Sequence, residues 1–319
     1  MLSDEPGEQP KQIDIIKLNT NECPYPPSPM VFEAMKNFDS EKLRLYPDPK
    51  AEKLVNAWAD FCQLDPSEVF VGVGSDDVLS MCFLTFFHGD KPVIFPDITY
   101  SFYDVWCDVY RIPFEVKKLN EDFTICKEDY FCENGGVVLA NPNAPTGIEA
   151  DLSEIEEIIQ KNQNSIVIID EAYVDFGARS ALPLIHKYHN VVVVQTFSKS
   201  RAMAGSRIGF AMANQELIRY MNDVKYSVNS YTMNMQAIEA GIAAIHDVEY
   251  LNKIVHRIVE TREYVKEELR KIGFVFGDSS TNFIFAKHPD FSGDELFSML
   301  RENNIIVRHF NKARIQDYL

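Results

Sequence analysis

The sequence predicts an α/β protein, with a large domain built on a mostly parallel sheet and a smaller α+β domain. Up to Phe210, short apolar segments typical of buried strands alternate with segments that have the periodicity of helices. After Phe210 this alternation stops and helical periodicity dominates. Wholly apolar strands need a cover on both faces, so helices are expected on both sides of the sheet.

Composition limits the classes of partner. The 319 residues, 46% of them hydrophobic, suffice for a large core and two domains. A formal net charge of -17 argues against nucleic acid or an anionic membrane surface as the main partner. No apolar run approaches membrane-spanning length. The 6 cysteines form no Cys-x-x-Cys pair, so we expect reduced thiols in the cytoplasm and no metal site.

The chain divides into three predicted parts. Residues 1–15, rich in proline and acidic residues, are expected to be disordered or to form a surface arm. Residues 45–245 would form the large domain, and residues 16–44 with 246–319 the small one. Apolar runs predict strands at 68–73, 93–95, 136–140, 165–169, 191–194, 274–276, 282–286 and 305–308. Apolar periodicity predicts helices at 31–38, 52–61, 78–84, 102–110, 151–162, 217–224, 234–245, 251–272 and 292–302.

Polar residues follow the ends of several predicted strands. Ligands of open α/β sheets gather beyond the carboxyl ends of the strands, so these residues are expected to meet. The segments concerned are Gly74-Ser75-Asp76, Thr99-Tyr100, 141–147, Asp170 to Tyr173, and Thr196 to Lys199.

Each of these features also has a plain structural interpretation. Ser75 or Asp76 after the glycine turn is either a helix cap or the start of a phosphate site made by free amides. Asp170 after an apolar run is equally a local hydrogen-bonding residue. Lys199 between two serines is also what a solvated loop contains. Tyr100 and Tyr173 are as readily half-buried tyrosines.

Taken together, these residue types match what pyridoxal phosphate needs from a protein. Lys199 supplies an amine for a covalent link to an aldehyde, and Asp170 a carboxylate for a ring nitrogen. Thr196, Ser198 and Arg207 offer hydroxyls and a guanidinium to a phosphate.

Three motifs give the chain a family resemblance. Asn-Pro-Asn-Ala-Pro-Thr-Gly at 141–147, Asp-Glu-Ala-Tyr at 170–173, and Ser-Lys at 198–199 with Arg207 beyond it resemble fold-type I aminotransferases. The resemblance runs from about Ile16 onward and implies the PLP-dependent transferase fold, which is aspartate aminotransferase-like. The segments 18–22, 46–49 and 306–308 resemble the histidinol-phosphate aminotransferase branch in particular.

The resemblance implies a role for each candidate residue. Lys199 would be catalytic, linking to the cofactor and carrying the proton, while Asp170 would hold the ring nitrogen. Tyr173 would contact the phenolic oxygen, and Tyr100 would stack on the ring. Asn143 would donate to the phenolic oxygen in place of a family asparagine that this chain lacks. The cofactor phosphate would be held by Ser75, Asp76, Thr196, Ser198, Arg207 and, across a homodimer, by Tyr46 of the neighbouring chain. Asn21 and Arg308 would bind substrate.

The sequence departs from the family pattern at two places. The family has asparagine immediately before Pro-Thr-Gly, where this chain has Ala144, so Asn143, Asn141 or Tyr173 alone would have to serve the phenolic oxygen. The second substrate arginine of the family falls beyond Leu319, so we expect the sequence to be truncated.

The implied reaction is amino-group exchange between histidinol phosphate and 2-oxoglutarate, a small-molecule amino donor and a 2-oxo acid acceptor. An aromatic amino acid aminotransferase and a lyase similar to threonine-phosphate decarboxylase remain alternatives on the same scaffold. A regulator that merely binds the cofactor is a non-enzyme alternative. Intact Lys199, Asp170 and Arg207 argue against that last interpretation.

Overall fold

The structure is a computed structural model that describes residues 8–10 and 14–319. The described residues form α-helices, short strands and 3-10 helices. The strands are β1 Ile16–Lys17, β2 Val69–Gly72, β3 Val93–Pro96, β4 Phe114–Lys117, β5 Gly136–Ala140, β6 Val167–Asp170, β7 Val191–Thr196, β8 Gly209–Ala213, β9 Val275–Phe276, β10 Ala286–Lys287 and β11 Ile305–Ile306. The α-helices are α1 Pro29–Lys36, α2 Glu52–Cys62, α3 Ser75–Phe86, α4 Phe102–Tyr110, α5 Leu152–Lys161, α6 Gln215–Val228, α7 Met235–His246, α8 Val248–Lys271 and α9 Gly293–Glu302.

Seven strands form the central sheet in the order β2-β8-β7-β6-β5-β3-β4. The neighbouring strands β4, β3, β5, β6 and β7 pair in parallel, whereas β8 is antiparallel to both β7 and β2. The predicted mostly parallel α/β sheet is therefore confirmed. Because β8 runs in reverse, its first residue Gly209 lies opposite Thr196 and Gly72, at the edge where β7 and β2 end. Arg207, which precedes β8, is brought to that edge for the same reason.

Two apolar cores cover the two faces of this sheet. Alternate residues of one strand serve opposite cores: Val193 packs with Leu54 and Trp58 of α2, while Val192 packs with Val78 and Phe83 of α3. This alternation is the period of a pleated strand. The strands are buried on both faces, which explains why their sequences are continuously apolar.

Smaller sheets lie outside the central one. β1 pairs in parallel with β11, and β9 pairs antiparallel with β10. The first pairing joins residues 16–17 to residues 305–306, both assigned to the predicted small domain, but the domain boundaries stay a prediction. Of the predicted arm at 1–15, residues 1–7 and 11–13 lie outside the described residues.

Several elements differ from the sequence-based expectations. The strand expected at 282–286 is limited to its last residue, because Ser279 and Thr281 hydroxyls bind the Phe283 carbonyl in place of a neighbouring strand. The sequence patterns did not predict β1, β4 or β8. No helix in the described ranges has the length and apolar character needed to cross a membrane.

Candidate active site

Lys199 lies just beyond the carboxyl end of β7. Its Nζ donates to the main-chain carbonyl of Thr20 at 3.0 Å and lies 5.4 Å from the centre of the Tyr173 ring. The amine is therefore held between the N-terminal segment and the Asp-Glu-Ala-Tyr turn, and it is not a solvated loop lysine.

Asp170 is the last residue of β6 and only 5% of its surface is exposed. The Tyr103 hydroxyl donates to its Oδ2 at 2.8 Å, and the Ala172 amide donates to Oδ1 at 3.2 Å. Burial raises the pKa of the Asp170 carboxyl to about 6, although these two hydrogen bonds lower it in part. The site thus holds a buried carboxylate whose charged form a cationic partner would stabilise.

Tyr103 was missed by sequence reasoning. It lies in α4 and is fully buried. Burial and the nearby Asp170 charge raise the pKa of its hydroxyl well above the ordinary value, so the hydroxyl remains a donor. The available signal was its position in the first turn of the helix that follows Tyr100, since that turn starts at the edge where the site lies.

Arg207, Ser198 and Thr196 converge near the start of α3. Thr196 Oγ1 donates to Ser198 Oγ at 3.0 Å, and Arg207 Nη1 donates to the same Ser198 oxygen at 3.5 Å. The residue before α3, Gly74, has φ +86 and gives the helix no side-chain cap. First-turn amides without a side-chain cap, two hydroxyls and a guanidinium form a donor set suited to a phosphate.

Asp76 connects the phosphate-site residues to Tyr100. Its carboxylate accepts from Arg207 Nη2 at 3.3 Å and from the Tyr100 hydroxyl at 2.8 Å. Burial, followed by the Asp76 charge, raises the pKa of Tyr100. The Asp76 side chain therefore orients two neighbours, which leaves only its backbone amide for an anion.

The 141–147 loop uses its asparagines internally. Asn143 Nδ2 donates to the Ile98 carbonyl at 2.9 Å and to Thr146 Oγ1 at 3.0 Å, and its Oδ1 accepts from Thr99. Asn141 exchanges hydrogen bonds with Ala150. Both Asn143 amide hydrogens are occupied, so its predicted contact with the cofactor has no free donor in this arrangement.

The side chain of Asn21 forms a hydrogen bond with Tyr173. Asn21 Nδ2 donates to the Tyr173 hydroxyl oxygen at 3.1 Å, which leaves the hydroxyl hydrogen of Tyr173 free to donate. Asn21 has φ 54, unusual for a residue with a side chain, and its carbonyl accepts from Asn282 at 3.0 Å. Ala144 packs in the same apolar cluster as Tyr173.

The remaining predicted site residues are Tyr46 and Arg308. Tyr46 is 80% exposed, and its ring lies 4.8 Å from that of Tyr231. Arg308 follows β11, with its guanidinium carbon 5.9 Å from the centre of the Phe310 ring.

The residues at this sheet edge fit pyridoxal phosphate. The buried Asp170 calls for a cation, the Lys199 amine lies beside it in the fold, and the Arg207 group offers donors to a phosphate. Within the described ranges, no group of three or more His, Cys, Asp or Glu side chains converges in a way that could hold a metal ion.

Comparisons with known proteins agree with this geometry. The profile of the family described as aminotransferase class I and II matches residues 13–319. A histidinol-phosphate aminotransferase of Lactococcus lactis subsp. cremoris (strain SK11) is 53% identical over 313 residues, which cover 98% of this chain and 88% of the relative.

Two solved structures have the same fold. The histidinol-phosphate aminotransferase of Sinorhizobium meliloti in complex with pyridoxal-5'-phosphate gives a TM-score of 0.86 at 22% identity, covering 95% of this chain and 84% of that one. Aspartate aminotransferase of Thermus thermophilus with maleate gives 0.80 at 19% identity, covering 92% and 83%. The predicted fold class and the resemblance read from the motifs are confirmed.

Proposed function

Because this chain belongs to the class I and II aminotransferase family, we propose that it exchanges amino groups between histidinol phosphate and 2-oxoglutarate with pyridoxal phosphate as cofactor. The proposed chemistry is supported above all by the position of Lys199, Asp170 and Arg207 at the same edge of the sheet. The relative from L. lactis, identical at about half of the aligned positions, carries the choice of substrate.

The chain's own residues divide the work. When bound, pyridoxal phosphate supplies an electron sink for the carbon that loses its proton. The Lys199 amine takes up and returns that proton, and the Thr20 carbonyl orients it. Ionised Asp170, held by Tyr103, keeps the ring nitrogen protonated.

Further residues would hold the cofactor and substrate in place. The hydroxyl hydrogen of Tyr173, left free by Asn21, would donate to the phenolic oxygen. Tyr100, oriented by Asp76, would cover the ring. The phosphate would lie against Ser75, Thr196, Ser198, Arg207 and the Asp76 amide. Arg308 and Asn21 would bind the substrate.

We also propose that the enzyme is a homodimer working in the cytoplasm. Its 6 cysteines are all free thiols, as expected of a reducing compartment. The segment before α2 exposes large apolar side chains, including Phe32 at 67%, Leu43 at 56% and Tyr46 at 80%. Such exposure is typical of a surface that another chain covers.

The visible absorption spectrum of the cofactor-loaded protein tests the proposed reaction. We expect the band of the bound cofactor to shift when histidinol phosphate is added and to return with 2-oxoglutarate. A band that responds to phenylalanine or tyrosine but not to histidinol phosphate would move the function to an aromatic aminotransferase. Release of carbon dioxide from threonine phosphate would indicate a lyase. Failure to bind the cofactor at all would contradict the proposal.

Lys199→Ala tests the assignment of the proton carrier. We expect turnover to fall by at least about 10²–10⁴-fold, the usual contribution of general acid–base catalysis. The matched control is Lys253→Ala on the exposed side of α8, which should leave turnover unchanged. Near-normal activity of Lys199→Ala at full cofactor occupancy would refute the mechanism.

A further inference from the structure

The last residues of the chain return to the edge of the central sheet. We call residues 307–319 the C-terminal segment. Arg314 Nη1 donates to Asp97 Oδ2 at 2.9 Å, and its Nη2 donates to the carbonyls of Leu119 and Asn120, both at 2.8 Å. One guanidinium therefore ties the segment to residues about two hundred positions earlier in the chain.

Asp97 is engaged from several directions. Its Oδ1 accepts from the Leu119 amide at 2.9 Å, and its main-chain carbonyl accepts from Lys312 Nζ. The side chains of Arg314 and Asp97 are only 23% and 22% exposed. An isolated surface ion pair contributes little, but a half-buried arginine fork with three acceptors is a geometrically specific contact.

Apolar packing reinforces the contact. Ile315 of the segment is buried with Ile98, Leu119 and Phe285 in a cluster of its own. At the chain end, the Leu319 amide donates to the Ala286 carbonyl at 2.9 Å, and the Ala286 amide donates to the Leu319 carbonyl at 3.2 Å. The segment is therefore fixed on both sides of Arg314.

Each end of the contact lies a few residues along the chain from a proposed site residue. Asp97 lies between β3 and Tyr100. Arg314 follows Arg308 in the C-terminal segment and has φ 73, a strained conformation for a residue with a side chain. Strain of this kind persists only where the surrounding contacts hold it in place.

We propose that Arg314 and Asp97 are positioning residues that set the place of Arg308 relative to the Tyr100 side of the site, and so the affinity for a phosphorylated substrate. The inference rests on the proposed function, because there Arg308 binds the substrate phosphate. Neither Arg314 nor Asp97 would touch the reacting atoms.

Steady-state kinetics of Arg314→Lys and Arg314→Ala test this role. Lysine keeps the charge but cannot reach three acceptors with a planar fork. Misplacing a binding group by about an ångström costs up to ~10²-fold, so we expect KM for histidinol phosphate to rise about ten- to a hundredfold. The value of kcat and the affinity for the cofactor should change little, because the loss is one of binding.

Matched variants separate positioning from general destabilisation. Asp97→Ala should raise KM in the same way, and the double variant with Arg314→Ala should be no worse than the Arg314 variant alone. Arg301→Lys is the control: Arg301 is also an arginine fork, but it pairs with Glu8, through two hydrogen bonds at 2.8 and 2.7 Å, and not with Asp97. It should leave KM unchanged.

Hydrogen exchange of the amides of residues 307–319 keeps the inference testable whatever the substrate proves to be. We expect protection there to fall in Arg314→Lys relative to wild type, with the central sheet unaffected. Unchanged protection, or an unchanged KM in folded Arg314→Ala, would overturn the inference. Inactivity of the wild type with histidinol phosphate would instead count against the proposed function.

Discussion

Asp170 and Glu171 are adjacent carboxyl residues, both buried, with entirely different surroundings. Asp170 meets Tyr103 at the site, whereas Glu171 accepts from Ser180 Oγ at 2.7 Å, Gln195 Nε2 at 2.7 Å and the Ala181 amide at 2.5 Å. Burial raises the pKa of Asp170 to about 6 and that of Glu171 to about 7. Asp170 therefore has room for a cationic partner, whereas the carboxyl oxygens of Glu171 already accept from three donors.

Tyr103→Phe should change how cofactor affinity depends on pH. In the proposed function Asp170 would hold the ring nitrogen only when ionised, so the affinity of the free protein for the cofactor should rise with pH through about 6. Removing the Tyr103 donor disfavours the ionised form, which moves this rise to higher pH. A hydrogen bond to a charged group contributes about 1.5–3 kcal/mol, so affinity near pH 6 should fall at least about tenfold.

Cofactor titrations across pH measure this change. Tyr110→Phe is the control on the same helix, because its hydroxyl contacts Ser80 at 2.6 Å and not Asp170. An unshifted midpoint in Tyr103→Phe would mean that Tyr103 only fills space.

Glu171→Gln should change how stability depends on pH. The folded chain holds the Glu171 proton up to about pH 7, whereas the unfolded chain releases it near 4.5. Between these two pH values the folded state binds more protons than the unfolded state. The contribution of Glu171 to the free energy of unfolding therefore falls as pH rises to about 7, and it is constant at higher pH. Relative to wild type, the free energy of unfolding of the glutamine variant should therefore increase by about 3 kcal/mol across this window.

Denaturant unfolding at several pH values measures that difference. The exposed Glu267→Gln on α8 is the control and should follow the wild-type profile. A difference that does not vary with pH would show that Glu171 has the same charge in both states.

At the scale of elements, the proposed phosphate site depends on β8. This strand runs against its neighbours and starts close to the turn between β2 and α3, where a Cβ at Gly209 would lie 2.5 Å from the Ser75 nitrogen. The glycine and small residues of β8 allow its first residue to lie against the turn between β2 and α3. Because β8 lacks β-branched residues, the sequence pattern did not predict it as a strand. Sequence patterns predicted the helix after Gly74 but not the neighbour that faces it.

Gly74→Ala should weaken cofactor binding through this junction. A Cβ there would overlap the Arg207 guanidinium, and φ +86 is unfavourable for alanine. Strain of about 1–3 kcal/mol, together with a displaced Arg207, should raise the dissociation constant of the cofactor about tenfold or more. Gly89→Ala, where a Cβ meets nothing within 4 Å, should be neutral. Equal affinities in both variants would contradict a phosphate site at Gly74.

For the whole molecule, local patterns were sufficient for five of the seven strands of the central sheet and for the edge at which the candidate site forms, but not for β4 and β8. Strand periodicity placed Asp170 and Lys199 at strand ends, and the parallel topology then brings these ends together. Contacts that depend on distant segments were not predictable in this way. Examples are the Thr20 carbonyl on Lys199, the Tyr103 hydroxyl on Asp170 and the Arg314 fork on Asp97.

The proposed dimer leads to a prediction that only the whole assembly can satisfy. If Tyr46 contributes to the site of the neighbouring chain, each site takes its Lys199 from one chain and its Tyr46 from the other. Lys199→Ala then removes a residue from the site of its own chain, and Tyr46→Ala removes one from the site of the neighbour. A hybrid dimer then contains one site with both residues intact, provided by the Lys199 of one chain and the Tyr46 of the other. Co-expression of the two variants should therefore restore activity that neither has alone.

Differently tagged chains allow the hybrid dimer to be purified and its turnover measured. Each variant expressed by itself under both tags is the control and should remain impaired. A hybrid that forms but stays as impaired as its parents would place Tyr46 outside the neighbour's site. A chain that sediments as a monomer at assay concentration would remove the dimer from the proposal, because the exposed surface of Phe32, Leu43 and Tyr46 would then have no second chain to cover it.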